Sequence, residues 1–403
     1  MDKELFEVIL RKSAADSNIK RIIDMKMESA VPKGENYTSN IFRVTLKVVL
    51  GNGRIATKSF ILKSVMLATF SKDSKENFQT NSLAKAEASI YINVLREMEY
   101  LMEEFGDTEG PFWCDLIHFS QADSTIILED LKASGFSSVK RTEAQGLEHA
   151  RLALRSIGRY HAMAKVLEDR GLISKDHTPY TLLYNQKIIK SIVFGGIKAL
   201  VKGMRATWGE EWSETADKLN QISSEELLKK IQSIGIFDDN TFKCLNHGDF
   251  GNNNMMFKHD WEGRPIQLRL IDFQGPHYNT PCVDVIYFIY TSIKPHLRRQ
   301  NYKSLVELYY ESLITSLDRF GYKGSKPSLK EIEDTLKRLS YSALALFIGS
   351  FAGGVYKGTD ALDVDKIFKT EGEEGFNLRI YSQDGIIEKI GEDIKTFLNF
   401  WSD

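Results

Sequence analysis

Between Cys244 and Asp284 the chain reads CLNHGDFGNNNMMFKHDWEGRPIQLRLIDFQGPHYNTPCVD. His247, Asp249 and Asn254 fit the pattern H-x-D-x-x-x-x-N, and a second aspartate follows in Ile271-Asp272-Phe273. Phosphoryl transfer needs one carboxylate to orient the attacking hydroxyl, and a further carboxylate with an amide to hold magnesium on the phosphates. Asp249 is the candidate base, and Asn254 and Asp272 are the candidate metal ligands. A zinc site built from His247, Asp249 and His259 is the competing reading, but no ligand pair there has helical or Cys-x-x-Cys spacing.

These residues act only if the surrounding elements bring them together. Asn254 to Phe257 is a short apolar run, and His259 to Arg264 is polar with a glycine, which suits a turn. Ile266, Leu268 and Leu270 then alternate with polar residues, so the spacing predicts a hairpin with Asp272 at the end of its second strand. Upstream, Ile41 to Leu50 and Ile55 to Met66 flank Gly51-Asn52-Gly53, a strong hairpin signal. Lys63 lies in the second of these strands on the face of Ile61 and Val65, an odd place for a cation unless an anion meets it. Glu87, in a helix expected over Leu83 to Met98, is the candidate partner, and the pair would aim the ammonium at phosphates. The preceding GENYTSN, Gly34 to Asn40, is a candidate phosphate cover in which Ser39 offers a hydroxyl.

Ser124 to Leu131, STIILEDL, reads as a strand running into a Gly- and Ser-containing linker. That suits a hinge between two lobes whose backbone hydrogen-bonds adenine, with Glu129 and Leu131 the candidate contacts. Thr142 and Gln145 are placed as a capping box opening a helix to about Glu168. His161 on that helix reads as a packing histidine. Further helices are expected over Thr181 to Met204 and Ser223 to Gln232, the latter with Ser223 and Glu226 as capping box and Gly235 as terminator. Others are expected over Val283 to Ile293, Ser304 to Phe320, Ser328 to Phe351 and Ile386 to Trp401. Leu5 and Ile9 mark an amphipathic first helix.

A sheet-rich first third followed by a helical remainder is the order of an α+β, protein-kinase-like bilobal fold. The expected division is an N-lobe at 1–130, with a small antiparallel sheet, and a larger, mainly helical C-lobe at 131–403. At 403 residues and 42% hydrophobic content the chain supports a sizeable core. Its 53 basic and 55 acidic residues leave a net charge of -2, which argues against nucleic acid as a partner. Cys114, Cys244 and Cys282 are scattered without metal or disulfide spacing, which fits reduced thiols. The first residues lack a signal-peptide core, and the apolar run Tyr341 to Tyr356 is short of a bilayer span. The expectation is a soluble cytoplasmic protein with no membrane partner.

HGDFGNNNMMF, LIDFQ, PCVDVIYFI, ILEDL, and GENYTSN with Lys63 and Glu87 together resemble the ecdysteroid kinase-like family, within the choline kinase and aminoglycoside phosphotransferase group. The resemblance runs from about residue 30 to 360. It implies ATP and magnesium as cofactors and transfer of the γ-phosphoryl group to a small-molecule hydroxyl, with steroid alcohols such as ecdysteroids as substrates. By the same motifs, Asp249 is the base, Asn254 and Asp272 hold metal, Lys63 binds phosphate with Glu87 as partner, and Asp284 with His247 supports the catalytic loop. Choline-like amino alcohols or xenobiotic hydroxyls are the alternative acceptors, and a nucleotide-binding pseudokinase is the non-enzymatic alternative. Phe250-Gly251 departs from the family's bulkier pair. A protein kinase is disfavoured, because Gly251 stands where such enzymes place a lysine and the link from Asp272 to Asp284 is short. Tyr287, Phe288, Tyr290, Tyr309, Tyr310, Tyr341 and Phe347 are candidates to line an acceptor pocket, although most read as core.

Overall fold

The computed structural model describes residues 3–12, 18–31, 39–65, 80–140, 142–175 and 186–402. Its first element, helix α1 (Lys3–Lys12), packs Phe6, Ile9 and Leu10 onto a sheet. Strands β1 (Ile19–Ser29), β2 (Ser39–Leu50) and β3 (Ile55–Val65) follow, all antiparallel. The β2–β3 turn uses the expected glycines, with Gly53 at φ 80° and its amide donating to Leu50 O at 2.9 Å. Strand β1 is absent from the sequence reading. In IKRIIDMKMES only Ile19 and Ile22 are buried, so its outer position erases the alternation that would announce a strand.

A long helical segment begins as α2 (Thr80–Ser89), passes through a π-helical stretch at Ile90–Leu95 and continues as α3 (Arg96–Glu104). Strands β4 (Leu116–Ser120) and β5 (Thr125–Glu129) complete a five-stranded sheet in the order β1-β2-β3-β5-β4. Because side chains alternate across a strand, one face of β2 and β3 gives Val44, Leu46, Val48, Phe60 and Leu62 to the cluster under α1. The opposite face carries Arg43, Ser59, Ile61 and Lys63. Register sets Lys63 beside Ile41 of β2 and Ile126 of β5.

The rest of the chain is mainly helical. Helix α4 (Leu147–Asp169) is buried along most of its length. It does not open with the expected capping box: Gly146 is the N-cap and supplies no side chain. Gln145 is drawn elsewhere, its amide nitrogen donating to Asn252 Oδ1 at 3.0 Å and its backbone N–H to Ser292 O at 2.7 Å. Long-range partners thus outbid the local cap. The helix expected from Thr181 is seen from Gln186, running through a π-helical stretch at Ile189–Phe194 into α5 (Gly195–Thr207); residues 181–185 lie outside the described set. Helix α6 (Ser213–Gln221) is an addition, and α7 (Ser224–Ile234) carries the expected Ser223–Glu226 capping box and ends at Gly235.

Short strands then frame the central motif: β6 (Cys244–Asn246), β7 (Met255–His259), β8 (Pro265–Leu270) and β9 (His277–Asn279). β7 pairs with β8 as the expected hairpin, and β6 pairs with β9. Helices α8 (Cys282–Ser292), α9 (Pro295–Arg319), α10 (Leu329–Gly354), α11 (Val364–Lys369) and α12 (Ile386–Ser402) close the fold. Pro295 at the first turn of α9 starts it nine residues ahead of the expected Ser304. This is the bilobal α+β architecture expected, a small antiparallel sheet lobe and a larger helical lobe. Cys114, Cys244 and Cys282 are buried free thiols. Among the described residues no helix is long and apolar enough to cross a membrane.

The segment leaving β5 is tied back to the sheet by Asp130. Its carboxylate accepts from Arg43 Nε at 2.6 Å and Nη2 at 3.2 Å, and from Ser59 Oγ at 2.6 Å. Burial alone would raise this carboxyl, but the bonds from Arg43 and Ser59 outweigh it and hold the group below the ordinary aspartate range. Replacing Asp130 by alanine strips the partly buried Arg43 of its partner. The expected loss is roughly 1–3 kcal/mol, read as a lower urea midpoint with an unchanged slope; an unchanged midpoint would show that the tie contributes nothing.

Candidate active site

Lys63 extends from the cleft face of β3 into a pair of carboxylates. Its Nζ lies 2.7 Å from Glu87 Oε2 and 2.5 Å from Asp272 Oδ1. The helix bearing Glu87 packs into the larger core through Ile90, Val94, Leu95 and Met98, which fixes the carboxyl against the sheet at 1% exposure. Removal from water opposes the ammonium charge, yet Asp272 and Glu87 together raise Lys63 above its ordinary value. Burial, aided by the charge on Asp272, pushes Glu87 up against the pull of Lys63. A buried ammonium shared by two carboxylates stays charged.

The loop after β6 is suspended from α8. Asp284, in the first turn of that helix, is 1% exposed and accepts the backbone N–H of His247 at 2.7 Å and of Gly248 at 2.9 Å. His161 Nε2 lies 3.2 Å from the same carboxylate, and His161 Nδ1 lies 3.1 Å from the Tyr309 hydroxyl. Desolvation would raise the Asp284 carboxyl, but His161, with His247 and His277 nearby, keeps it below the ordinary range. Gly248 sits at φ 85°, and a Cβ there would meet Gly275 O at 1.6 Å. Only glycine lets the loop pass this close to the segment after Asp272.

Asp249 emerges from the loop half-buried, with a donor on each carboxylate oxygen. Asn254 Nδ2 reaches Oδ2 at 2.9 Å and also Asp249 O at 2.9 Å. The Tyr287 hydroxyl donates to Oδ1 at 3.1 Å. Desolvation and then the neighbouring charge of Asp272 raise the Asp249 carboxyl, against the opposing influence of His247, Asn254 and Tyr287. Asp272 lies two residues beyond β8 at φ 67°, a left-handed backbone that is uncommon outside glycine though enriched for aspartate. This turn swings its carboxylate back to Lys63 and Gln274, whose Nε2 donates to Oδ2 at 3.2 Å.

The donor set suits a hard cation. Asn254 spends its Nδ2 on Asp249, and no donor among the described residues reaches its Oδ1; the Asp272 side chain is 24% exposed, open to the cleft. Magnesium prefers such oxygens, uses few protein ligands and completes its shell with phosphates and water. Among the described residues no three His, Cys, Asp or Glu side chains form a metal cluster, and the competing zinc set is not assembled. His259 instead lies against His149, their Nε2 atoms 3.0 Å apart.

Of the residues singled out from sequence, Lys63 meets Glu87 and Asp272, while Asp249 meets Asn254 and His247, and His247 meets Asp284; the bond from Ile271 N–H to Asn254 O at 3.1 Å ties the two groups. Glu129 ends β5, with Oε1 accepting from Ser134 Oγ at 3.0 Å, and Leu131 is buried in the turn beyond it. Ser39 begins β2, but its side chain and residues 34–38 lie outside the described set. Of the seven aromatic candidates for an acceptor pocket, Phe288, Tyr290, Tyr309, Tyr341 and Phe347 are core. Three contacts went unrecognised: Tyr287 with Asp249, His161 with Asp284, and Arg43 with Asp130. An available signal for Tyr287 was its place one helical turn after Asp284 on the same helix.

A model of the ecdysteroid kinase-like family matches residues 33–322. The chain belongs to the ecdysteroid kinase-like family. As a family member it is a phosphotransferase, an ATP-dependent small-molecule kinase, and its fold implies a nucleotide and a metal as cofactors in general. Among solved structures, a choline kinase from Cryptosporidium parvum Iowa II is 14% identical, with 98% of each chain covered and a TM-score of 0.43. No curated protein matches the chain.

Substitution of Asp284 by alanine would leave two buried backbone N–H groups and His161 without their acceptor. The expected cost is about 3 kcal/mol of stability or more, since each unsatisfied buried group costs about 1–3 kcal/mol. Chemical denaturation reads this directly, and a wild-type midpoint would refute the suspension of the loop from α8.

Proposed function

We propose that this family member binds ATP with magnesium and transfers the γ-phosphoryl group to a hydroxyl of a steroid-like alcohol of the ecdysteroid type. The observation that carries the reading is the Asp249 carboxylate, held on both oxygens by Asn254 and Tyr287, beside Asp272, which shares the Lys63 ammonium with Glu87 and whose neighbour Ile271 donates its N–H to Asn254 O at 3.1 Å. In this reading Lys63 holds phosphate oxygens, with Glu87 keeping the ammonium aimed, and Ser39 covers the phosphates. The backbone at Glu129 and Leu131 receives adenine in a hinge that divides an N-lobe, 1–130, from a C-lobe, 131–403. Asn254 and Asp272 hold magnesium, which would neutralise charge on the phosphates. His247 and Asp284 keep the loop in place.

Asp249 orients the acceptor hydroxyl and takes its proton as the new O–P bond forms and the bond from the γ-phosphorus to the ADP oxygen breaks. A positioned base of this kind contributes about 10²- to 10⁴-fold in rate. The acceptor class rests on the family description together with the apolar composition of the helical lobe. Rigid apolar alcohols suit enclosed sites in which a few polar groups set orientation.

The test is phosphate transfer from labelled ATP to a panel of sterols, amino alcohols and glycosides. An ecdysteroid-like sterol is expected to be phosphorylated and choline and ethanolamine are not; a higher kcat/KM for choline would overturn the acceptor class. Asp249→Asn is expected to lose about 10²- to 10⁴-fold in turnover while still binding ATP. Near-normal turnover in that variant would remove Asp249 from the role of base.

Metal binding has a separate readout. Asp272→Ala is expected to abolish the magnesium-dependent part of the thermal shift produced by ATP. Identical shifts in wild type and variant would assign the metal elsewhere.

A further inference from the structure

Helix α8 does more than suspend the catalytic loop. Asp284 faces the loop backbone from its first turn, and Tyr287, one turn later, faces the loop's reactive side chain. The Tyr287 hydroxyl is 3.1 Å from Asp249 Oδ1, while Asn254 holds Oδ2 at 2.9 Å. A carboxylate with a donor on one oxygen can still swing about its Cβ–Cγ bond. One with a donor on each oxygen is held against that rotation.

The backbone of the loop is fitted to this phenol. Gly251 has no side chain where a Cβ would lie 3.3 Å from Tyr287 Cε1 and 3.7 Å from its hydroxyl oxygen. The space that a larger residue two positions after the base would fill is thereby left to the ring. Unlike its helix neighbours Val285, Ile286, Phe288 and Ile289, which are buried, Tyr287 keeps part of its surface exposed. Its own carbonyl accepts the Thr291 hydroxyl at 2.7 Å, a bond within the helix.

We propose that Tyr287 is a positioning residue for Asp249, its phenol locking the carboxylate in the orientation that receives the acceptor's hydroxyl proton, in space kept open by Gly251. The proposal rests on the reading of Asp249 as the base. Among the described residues the phenol makes no bond to the groups assigned to phosphate or metal, so its removal acts on turnover and not on nucleotide binding. Misplacement of a catalytic group by even an ångström is costly, because reaction requires a near-attack geometry.

Tyr287→Phe keeps the ring and removes only the hydroxyl. The experiment measures kcat and the KM for ATP in wild type, Tyr287→Phe, Asp249→Asn and the double variant, using labelled ATP with the best acceptor of the panel and with water. Tyr287→Phe is expected to lower kcat about tenfold, with the KM for ATP and the melting temperature close to wild type. In the Asp249→Asn background the same change is expected to cost nothing further, since residues acting through one another are not additive. A second variant, Gly251→Leu, is expected to reproduce the loss of kcat by displacing the ring. Full activity of Tyr287→Phe overturns the proposal, as does an equal loss in both backgrounds, which would make the phenol an acceptor contact independent of Asp249. Near-normal turnover of Asp249→Asn, or no transfer and no hydrolysis by wild type, defeats the underlying reading of the base. A crippled Asp249→Asn beside a wild-type-like Tyr287→Phe defeats the Tyr287 assignment alone.

Discussion

The buried carboxylate of Asp284 is the constraint on which the site depends. The loop that carries Asp249 cannot satisfy its backbone within a regular ladder, and a buried N–H without a partner is expensive. Asp284 resolves this by accepting two consecutive loop amides, and it remains ionised in the interior because it gathers charge-assisted bonds and a histidine around it. The position of Asp249 is therefore inherited from a helix, a far stiffer element than the loop itself. His161 and Tyr309 extend the same support into α4 and α9, the long helices of the C-lobe.

A second line of contacts couples this support to Lys63. Phe273, next to Asp272, packs on His247 with ring centroids 4.6 Å apart, and on Tyr91 at 5.5 Å in an edge contact. Tyr91 lies in the π-helical stretch one turn after Glu87. A displacement of that helix would move Glu87 away from Lys63 and Tyr91 away from Phe273 together. The ion pair and the aromatic stack thus favour the same arrangement, one through charge and the other through apolar burial. Glu87 and Asp272 both meet the Lys63 ammonium, and the charge on Asp272 helps raise the Asp249 carboxyl.

The central motif was legible because its chemistry is local in sequence. The run from His247 to Asn254, the hairpin at 255–270 and Asp272 beyond it all follow from residue type and spacing, and the capping box at Ser223 formed as expected. Lys63 and Glu87 were legible for a different reason: a lysine on the inner face of a strand demands a partner. The proposed box at Thr142 failed because Gln145 has better partners in Asn252 and Ser292, residues more than a hundred positions away. Strand β1 was missed because an outer strand with two buried residues lacks a periodic signal.

Sequence alone determined the class of chemistry, the two-lobed order of elements and the identity of the charged groups, since each depends on composition and short-range periodicity. Tertiary structure decided which neutral and structural side chains serve those groups. Tyr287 is an ordinary aromatic in an apolar helix until the fold sets it 3.1 Å from Asp249, His161 an ordinary packing histidine until it meets Asp284, and Arg43 an ordinary strand cation until Asp130 closes on it. Those contacts join residues 38, 123 and 87 positions apart. No local rule encodes them, because a hydrogen bond between distant segments is specified only by the packing that brings the segments together.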